Sequence, residues 1–341
     1  MSTLVIGDGH NKWWQLCSQI DGLIKKNGVT RVVLLGDLVN DWNSTARSEL
    51  AEIRALHHWI NDSAIRVDAL VGNHDVYYLL DAHDHRPETE KIRECSPGHH
   101  YELRGEIKAL FESLRRPLRM AATLRTGSNE WLLTHAGVTQ TWYETHLADP
   151  SGLGFMDSSS SIASSTGNVV SSAANVANAL NEMLSERNWD DLYSVGVERG
   201  GDAVPGPLWA DRKELIDDPL KNVPQIVGHT PVDTVSVWKA RDLDRSVWPL
   251  MFCDTISTMR YGSNIGDRSA LLVNGEGMWK VFLDDPSRRE LLMSADGLPT
   301  DHTATDGRPS AWQARKGSPR QNNTNPKTDP WSSDFTMDEW A

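Results

Sequence analysis

Short apolar runs of strand length recur along the chain, and the most regular of them stop at polar clusters. Leu4-Val5-Ile6 is followed by Gly7-Asp8-Gly9-His10, and Val32-Val33-Leu34-Leu35 by Gly36-Asp37. Val67 to Val71, broken once by Asp68, is followed by Gly72-Asn73-His74-Asp75. Trp131-Leu132-Leu133 then leads into His135-Ala136-Gly137, and Gln225-Ile226-Val227 into Gly228-His229-Thr230-Pro231. Between the first three runs lie Trp13 to Lys26 and Thr45 to Ile60, both compatible with helices, so the opening predicts β-α-β-α-β around a right-handed parallel core. In such sheets ligands gather beyond the carboxyl ends of the strands, where each polar cluster falls.

Further along, the pattern changes. Ser151 to Ser172 is rich in Ser, Gly and Asn, and Ala173 to Arg187 places Val176, Ala179, Leu180, Met183 and Leu184 at helical spacing. This predicts a flexible insertion at about 150–200 carrying one amphipathic helix, read as a cap over the site. Trp248 to Cys253 and Leu271 to Leu283 are further strand candidates, the second with a turn at Asn274-Gly275. After Asp285 the chain is polar, so the expected domain spans 1–285 and the expected disordered tail 286–341. No stretch approaches the roughly 18 consecutive apolar residues of a membrane span, and the N-terminus does not read as a signal peptide. The expected address is the cytoplasm, without membrane association.

Composition narrows the partners more than the fold. Of 341 residues, 39% are hydrophobic and 24% charged, as in an ordinary globular protein. The net charge of −13 disfavours a long nucleic acid or an anionic membrane, because binding to either needs clustered Lys and Arg. Cys17, Cys95 and Cys253 are too few and too far apart for a disulfide framework or a paired zinc motif and read as free thiols. The sequence leaves the oligomeric state open.

The chemistry concentrates in the polar clusters. Asp8 and His10 are two apart, and a turn at Gly9 lets both reach one ion. Asp37, Asn73, His135 and His229 add a carboxylate, an amide oxygen and two imidazoles, each just after an apolar strand. Such a donor set suits a borderline divalent ion such as Mn, Fe or Zn. His57-His58 reads as ordinary helix surface, and the pairs His83 with His85 and Cys95 with His99-His100 as loops lining the site.

In this order the clusters resemble the calcineurin-like metallophosphoesterase superfamily, whose signature runs D-x-H, GD, GNH, H and GH. The match spans Asp8 to His229 and implies an α/β (α+β) four-layer sandwich, two β-sheets flanked by helices. It implies two divalent metal ions, one held by Asp8, His10 and Asp37, the other by Asp37, Asn73, His135 and His229. His74 would contact phosphate and donate a proton to the leaving oxygen, after attack by a metal-bridging hydroxide.

Two departures qualify the likeness. Many members end in G-H-x-H, but Pro231 stands where the second histidine would ligate, as in the branch that includes the serine/threonine protein phosphatases. The G-D-x-x-D-R-G of those phosphatases is replaced by Gly36-Asp37-Leu38-Val39-Asn40-Asp41-Trp42, which lacks the phosphate-holding arginine. Asp41 or Asp75 is therefore the candidate acid that orients His74. Gly206-Pro207-Leu208-Trp209 resembles a segment of bacterial phosphatases in this branch, which makes Arg212 the first candidate for the phosphate clamp and Arg199 the second. The expected substrate is a phosphate monoester on a small molecule or a phosphoprotein. The alternatives are a phosphodiester or dinucleoside polyphosphate and, in another class, a degenerate scaffold without catalysis.

Overall fold

The computed structural model describes residues 2–295 apart from 82, 96–98, 128, 149–171, 240–248 and 261. The chain begins with β1 (Thr3–Ile6), α1 (Trp13–Asn27), β2 (Arg31–Leu34), α2 (Ala46–Asp62) and β3 (Arg66–Ala69). Helices α3 (Asn73–Leu79), α4 (Pro87–Cys95) and α5 (Arg104–Glu112) follow, then the hairpin β4 (Ala121–Thr126) and β5 (Asn129–Thr134). Next come α6 (Gln140–His146), α7 (Ala173–Glu186), α8 (Trp189–Leu192) and α9 (Arg212–Asp217). Strands β6 (Gln225–Val227), β7 (Ser236–Trp238), β8 (Leu250–Phe252), β9 (Ser269–Asn274), β10 (Gly277–Phe282) and β11 (Arg289–Ser294) complete it.

The strands form two mixed sheets, ordered β11-β10-β9-β1-β2-β3 and β4-β5-β6-β8-β7. As the opening pattern predicts, β1, β2 and β3 are parallel and joined by helical crossovers. Continuous rather than alternating apolar runs are explained by burial on both faces. Leu4 and Ile6 pack with Leu16 and Ile20 of α1 and with Ile53 and Leu56 of α2. Val5 and Val33 point the other way, into a core shared with Leu133, Ile226 and Met251 of the second sheet. On the outer face of that sheet, Val176 and Leu180 of α7 pack with Leu132 and with Trp142 of α6. The layers are thus helix, sheet, sheet, helix.

Two expectations need correction. The amphipathic helix after the Ser-rich segment exists as α7, but it is not a cap over the site. Its apolar stripe buries Val176, Leu180 and Met183 against the back of β4 and β5. The domain also continues past Asp285, because β11 pairs with β10 and buries Leu292 and Met293. Three successive apolar residues suffice there, since an edge strand needs only one covered face. The Ser-rich residues 151–171 and the tail from 296 onward lie outside the described residues. Among the described residues, no helix is long and apolar enough to cross a membrane.

Candidate metal centre

The polar clusters meet at the carboxyl ends of β1, β2 and β3 in one sheet and of β5 and β6 in the other. Backbone conformation does much of the aiming. Among the described residues, eight non-glycine residues have left-handed φ, and five of them, His10, Asn11, Asp37, Asn40 and His229, belong to these strand ends. Each such conformation costs about 1–3 kcal/mol and persists only where surrounding contacts enforce it.

Two groups of donor atoms form, Asp8 with His10 and Asp37, and Asp37 with His135 and His229, each with its donors within 4.8 Å of one another. Asp37 belongs to both, and its two oxygens face different groups. Oδ2 lies 3.8 Å from His10 Nε2, whereas Oδ1 lies 3.5 Å from His135 Nε2. His135 Nε2 is also 2.9 Å from Asn73 Oδ1 and 3.1 Å from His229 Nδ1. All six sequence-predicted ligands therefore come together.

The hydrogen bonds behind the imidazoles test whether these residues fit cations. His135 Nδ1 donates to the Leu35 carbonyl at 2.9 Å, and His10 Nδ1 to that of Asn40 at 2.9 Å. Burial pushes the His135 imidazole down to about 3 and, with help from the Lys12 ammonium, that of His10 to about 4. Both rings are thus neutral at physiological pH, and their Nε2 lone pairs point at other acceptors. Convergent acceptors without a proton to share form a site built for cations, oriented by outer partners in the manner of metal-ligating histidines. The carboxylates agree, since burial and the neighbouring acids push Asp8 and Asp37 well above the usual carboxylate range.

This sets a pH dependence. Raised carboxyl pKa values mean that ionising Asp8 and Asp37 destabilises the metal-free fold as pH rises above their unfolded values of about 4, and a cation relieves that penalty. At pH 5, protons compete with the cation for the same oxygens. The rise in Tm on adding Mn should therefore be larger at pH 8 than at pH 5 by differential scanning fluorimetry; an equal rise at both would contradict this.

The clusters also brace one another. The backbone N–H of His229 donates to both Asp8 oxygens, at 3.1 and 2.9 Å, and that of His74 to Asp37 Oδ1 at 3.0 Å. Gly228 fits because a Cβ there would strike the Asp8 carboxylate. Gly228→Ala should weaken metal binding about 10–100-fold, the range for a disturbed outer partner, when measured by competition with a chelator. Unchanged affinity would show that Asp8 is not a ligand.

Neither acid expected to orient His74 does so. Asp75 accepts from the backbone N–H groups of Leu38 (2.8 Å), Val39 (3.3 Å) and Gly72 (2.8 Å), and thereby pins the Asp37 loop to the turn before α3. Asp41 Oδ1 accepts from Thr258 Oγ1 at 2.9 Å and Trp42 N at 3.0 Å. Among the described residues, Asn40 Nδ2 lies 3.3 Å from His74 Nδ1 and 3.2 Å from His99 Nε2, within hydrogen-bond reach of both rings. His74 Nε2 lies 4.0 Å from Asp37 Oδ2.

Both candidate arginines meet at Thr230. Arg212 is buried, with its guanidinium 4.9 Å above the Phe252 ring, and its backbone N–H donates to Thr230 Oγ1 at 3.1 Å. Arg199 is the leading charge, after burial, that pushes the His229 imidazole down. Its Nη2 donates to Thr230 Oγ1 at 3.0 Å and its Nε pairs with Asp211 at 3.0 Å. Trp209 of the Gly-Pro-Leu-Trp segment meets the His229 ring edge-on at 5.6 Å.

Several further residues complete the surroundings. His99 Nε2 donates to the His74 carbonyl at 2.8 Å, so that histidine does line the site, whereas His85 pairs with Glu90 at the surface. Buried Glu49 accepts from Asn11 Nδ2 at 3.1 Å and Tyr78 OH at 2.6 Å, joining the His10 loop to α3. Asp254 is buried beside Asp8 and Asp37 and is pushed up to about 6 by burial. It follows an apolar strand just as Asp8 and Asp37 do, and that pattern could have revealed it.

A family model for calcineurin-like phosphoesterases matches residues 1–247, most of the chain. The chain belongs to this family. It is therefore a metallophosphoesterase, a hydrolase acting on phosphate esters, of a family that depends on two metal ions. Among solved structures, it is similar to the cold-active protein-tyrosine phosphatase of a psychrophilic Shewanella species, with 14% identity over 85% of this chain and 79% of that one and a TM-score of 0.44. It is similar to Yfce, a phosphoesterase from E. coli, with 13% identity over 85% and 98% of the two chains and a TM-score of 0.37. A third similar structure is that of a putative diadenosine tetraphosphatase, with 14% identity over 82% and 92% and a TM-score of 0.35. No curated protein matches the chain.

Proposed function

We propose that the protein hydrolyses phosphate monoesters on a small molecule or a phosphoprotein, using two divalent ions of the Mn, Fe or Zn type. The observation that carries this reading is the pair of donor groups sharing Asp37, with the Arg199 guanidinium held at Thr230, the residue after His229. A monoester at neutral pH carries close to two negative charges, a diester one, so a cation added to two metals favours the monoester.

Asp8, His10 and Asp37 would hold one ion, and Asp37, Asn73, His135 and His229 the other. When bound, such a pair supplies Lewis-acid charge neutralisation and water of lowered pKa. Arg199 orients the phosphoryl oxygens, with Arg212 behind it bracing the Thr230 loop. His74, oriented by Asn40, would donate to the leaving oxygen once the negative charge of a bound phosphate raises an imidazole pKa that burial holds well below its usual range.

The test compares p-nitrophenyl phosphate with its bis-ester under added Mn, Fe and Zn. We expect kcat/KM at least tenfold higher for the monoester, about 1.4 kcal/mol. Arg199→Ala should lower it about 10–100-fold for the monoester, as for loss of a charge-assisted hydrogen bond, and less for the diester. Preference for the diester would favour the phosphodiesterase alternative. No bound metal and no turnover with any ion would favour a scaffold.

A further inference from the structure

Beside the Asp8–His10 group, a cleft of about 400 Å³ opens between the start of α1, the loop after β2 and the loop before β9. Its lining adjoins the segments that carry His10 and Asn40. Lys12, on its lining, is two residues from His10 and places Nζ 3.4 Å from the His10 carbonyl. Asp41, also on the lining, follows Asn40, whose carbonyl holds His10 Nδ1. Neither ligand group uses any lining residue.

Two cations lie deepest. The side chains of Lys12 and Arg268 are 15% and 11% exposed, whereas those of Asp41 and Asp284 are 27% and 59% exposed. The acids are also committed elsewhere. Asp41 Oδ1 stands 3.7 Å from Lys12 Nζ while accepting from Thr258 and Trp42. Asp284 Oδ2 stands 3.5 Å from Arg268 Nε, and its other oxygen accepts from Gln19 Nε2 at 2.5 Å. Both pairs are long ion pairs, the one to exposed Asp284 is weakened by solvent, and Arg268 Nη2 also donates to Gln19 Oε1 at 2.9 Å. Lys12 thus retains donors at the floor of an open cleft.

We propose that this cleft is an anion subsite that takes a second phosphate or carboxylate carried by the leaving group of the substrate. The inference rests on the monoesterase reading and sharpens it. The substrate class becomes phosphate monoesters whose alcohol bears another anionic group, with the scissile phosphoryl at the metal centre and the distal anion between Lys12 and Arg268. A cleft of this volume has room for such an anion and part of its linker.

The test compares alkyl monophosphates with α,ω-alkanediol bisphosphates and ω-carboxyalkyl phosphates of matched length, using the Mn-supplemented enzyme. We expect kcat/KM to be about tenfold or more higher for at least one doubly anionic length than for its monophosphate, with the advantage shrinking as salt rises. A higher ratio with either anion supports the subsite, and the larger ratio identifies the anion. In Lys12→Met and Arg268→Met the ratio should fall toward one, whereas Lys12→Arg should keep it. Calorimetric titration of the metal-free protein with an alkane bisphosphonate against methylphosphonate reads the same preference without turnover. Ratios near one at every length, or ratios unchanged in both methionine variants, overturn the subsite. Absence of turnover on every ester overturns the hydrolase reading instead, and the bisphosphonate titration then decides the subsite.

Discussion

Asp37→Ala is expected to remove both metal ions together and to lower turnover about 10³-fold or more, because metal charge stabilisation is worth several kcal/mol. The reason is local. Asp37 alone contributes to both donor groups, with one oxygen toward each, and it also accepts the backbone N–H of His74. Asp8→Ala provides the comparison, since Asp8 belongs to one group only. That variant should keep the ion held by Asn73, His135 and His229 while losing the other. Elemental analysis of the two purified variants measures the difference. If Asp37→Ala retains one ion with full occupancy, the carboxylate is not shared.

His74→Asn is expected to separate binding from chemistry. His74 stands outside both donor groups, so both metals should remain, while turnover falls about 10²–10⁴-fold, the range for loss of a general acid. The fall should be largest with poor leaving groups, such as alkyl phosphates, and smallest with p-nitrophenyl phosphate, whose departing oxygen needs little protonation. Asn40→Ala should reproduce part of this effect by releasing His74 Nδ1. Equal slowing on good and poor leaving groups, or loss of metal in His74→Asn, would assign His74 to another role.

How far the sequence anticipated these features depended on whether the signal was local. Strands buried on both faces show as apolar runs, and the residue after each run is fixed in space by the sheet, so the meeting of the six candidate ligands and the parallel β1-β2-β3 core were readable. Asn40 was hidden because its role arises from a left-handed turn that brings it to a histidine 34 residues away. Asp75 looked available as a polar neighbour of His74, but helix geometry directs its carboxylate to the backbone of the Asp37 loop. The ranking of Arg212 ahead of Arg199 rests on a segment likeness alone, which carries no information on the three-dimensional path of either side chain; both meet Thr230. β11 was missed because an edge strand with one buried face carries few apolar residues and sits in a polar stretch.

The most direct measurement is anomalous diffraction from crystals grown with Mn. We expect two peaks flanking the Asp37 carboxylate, roughly 3.5–4 Å apart as in two-metal sites, one next to Asp8 and His10, the other next to Asn73, His135 and His229. A single peak, or two peaks that leave Asp37 without a metal contact, would contradict a shared dinuclear centre.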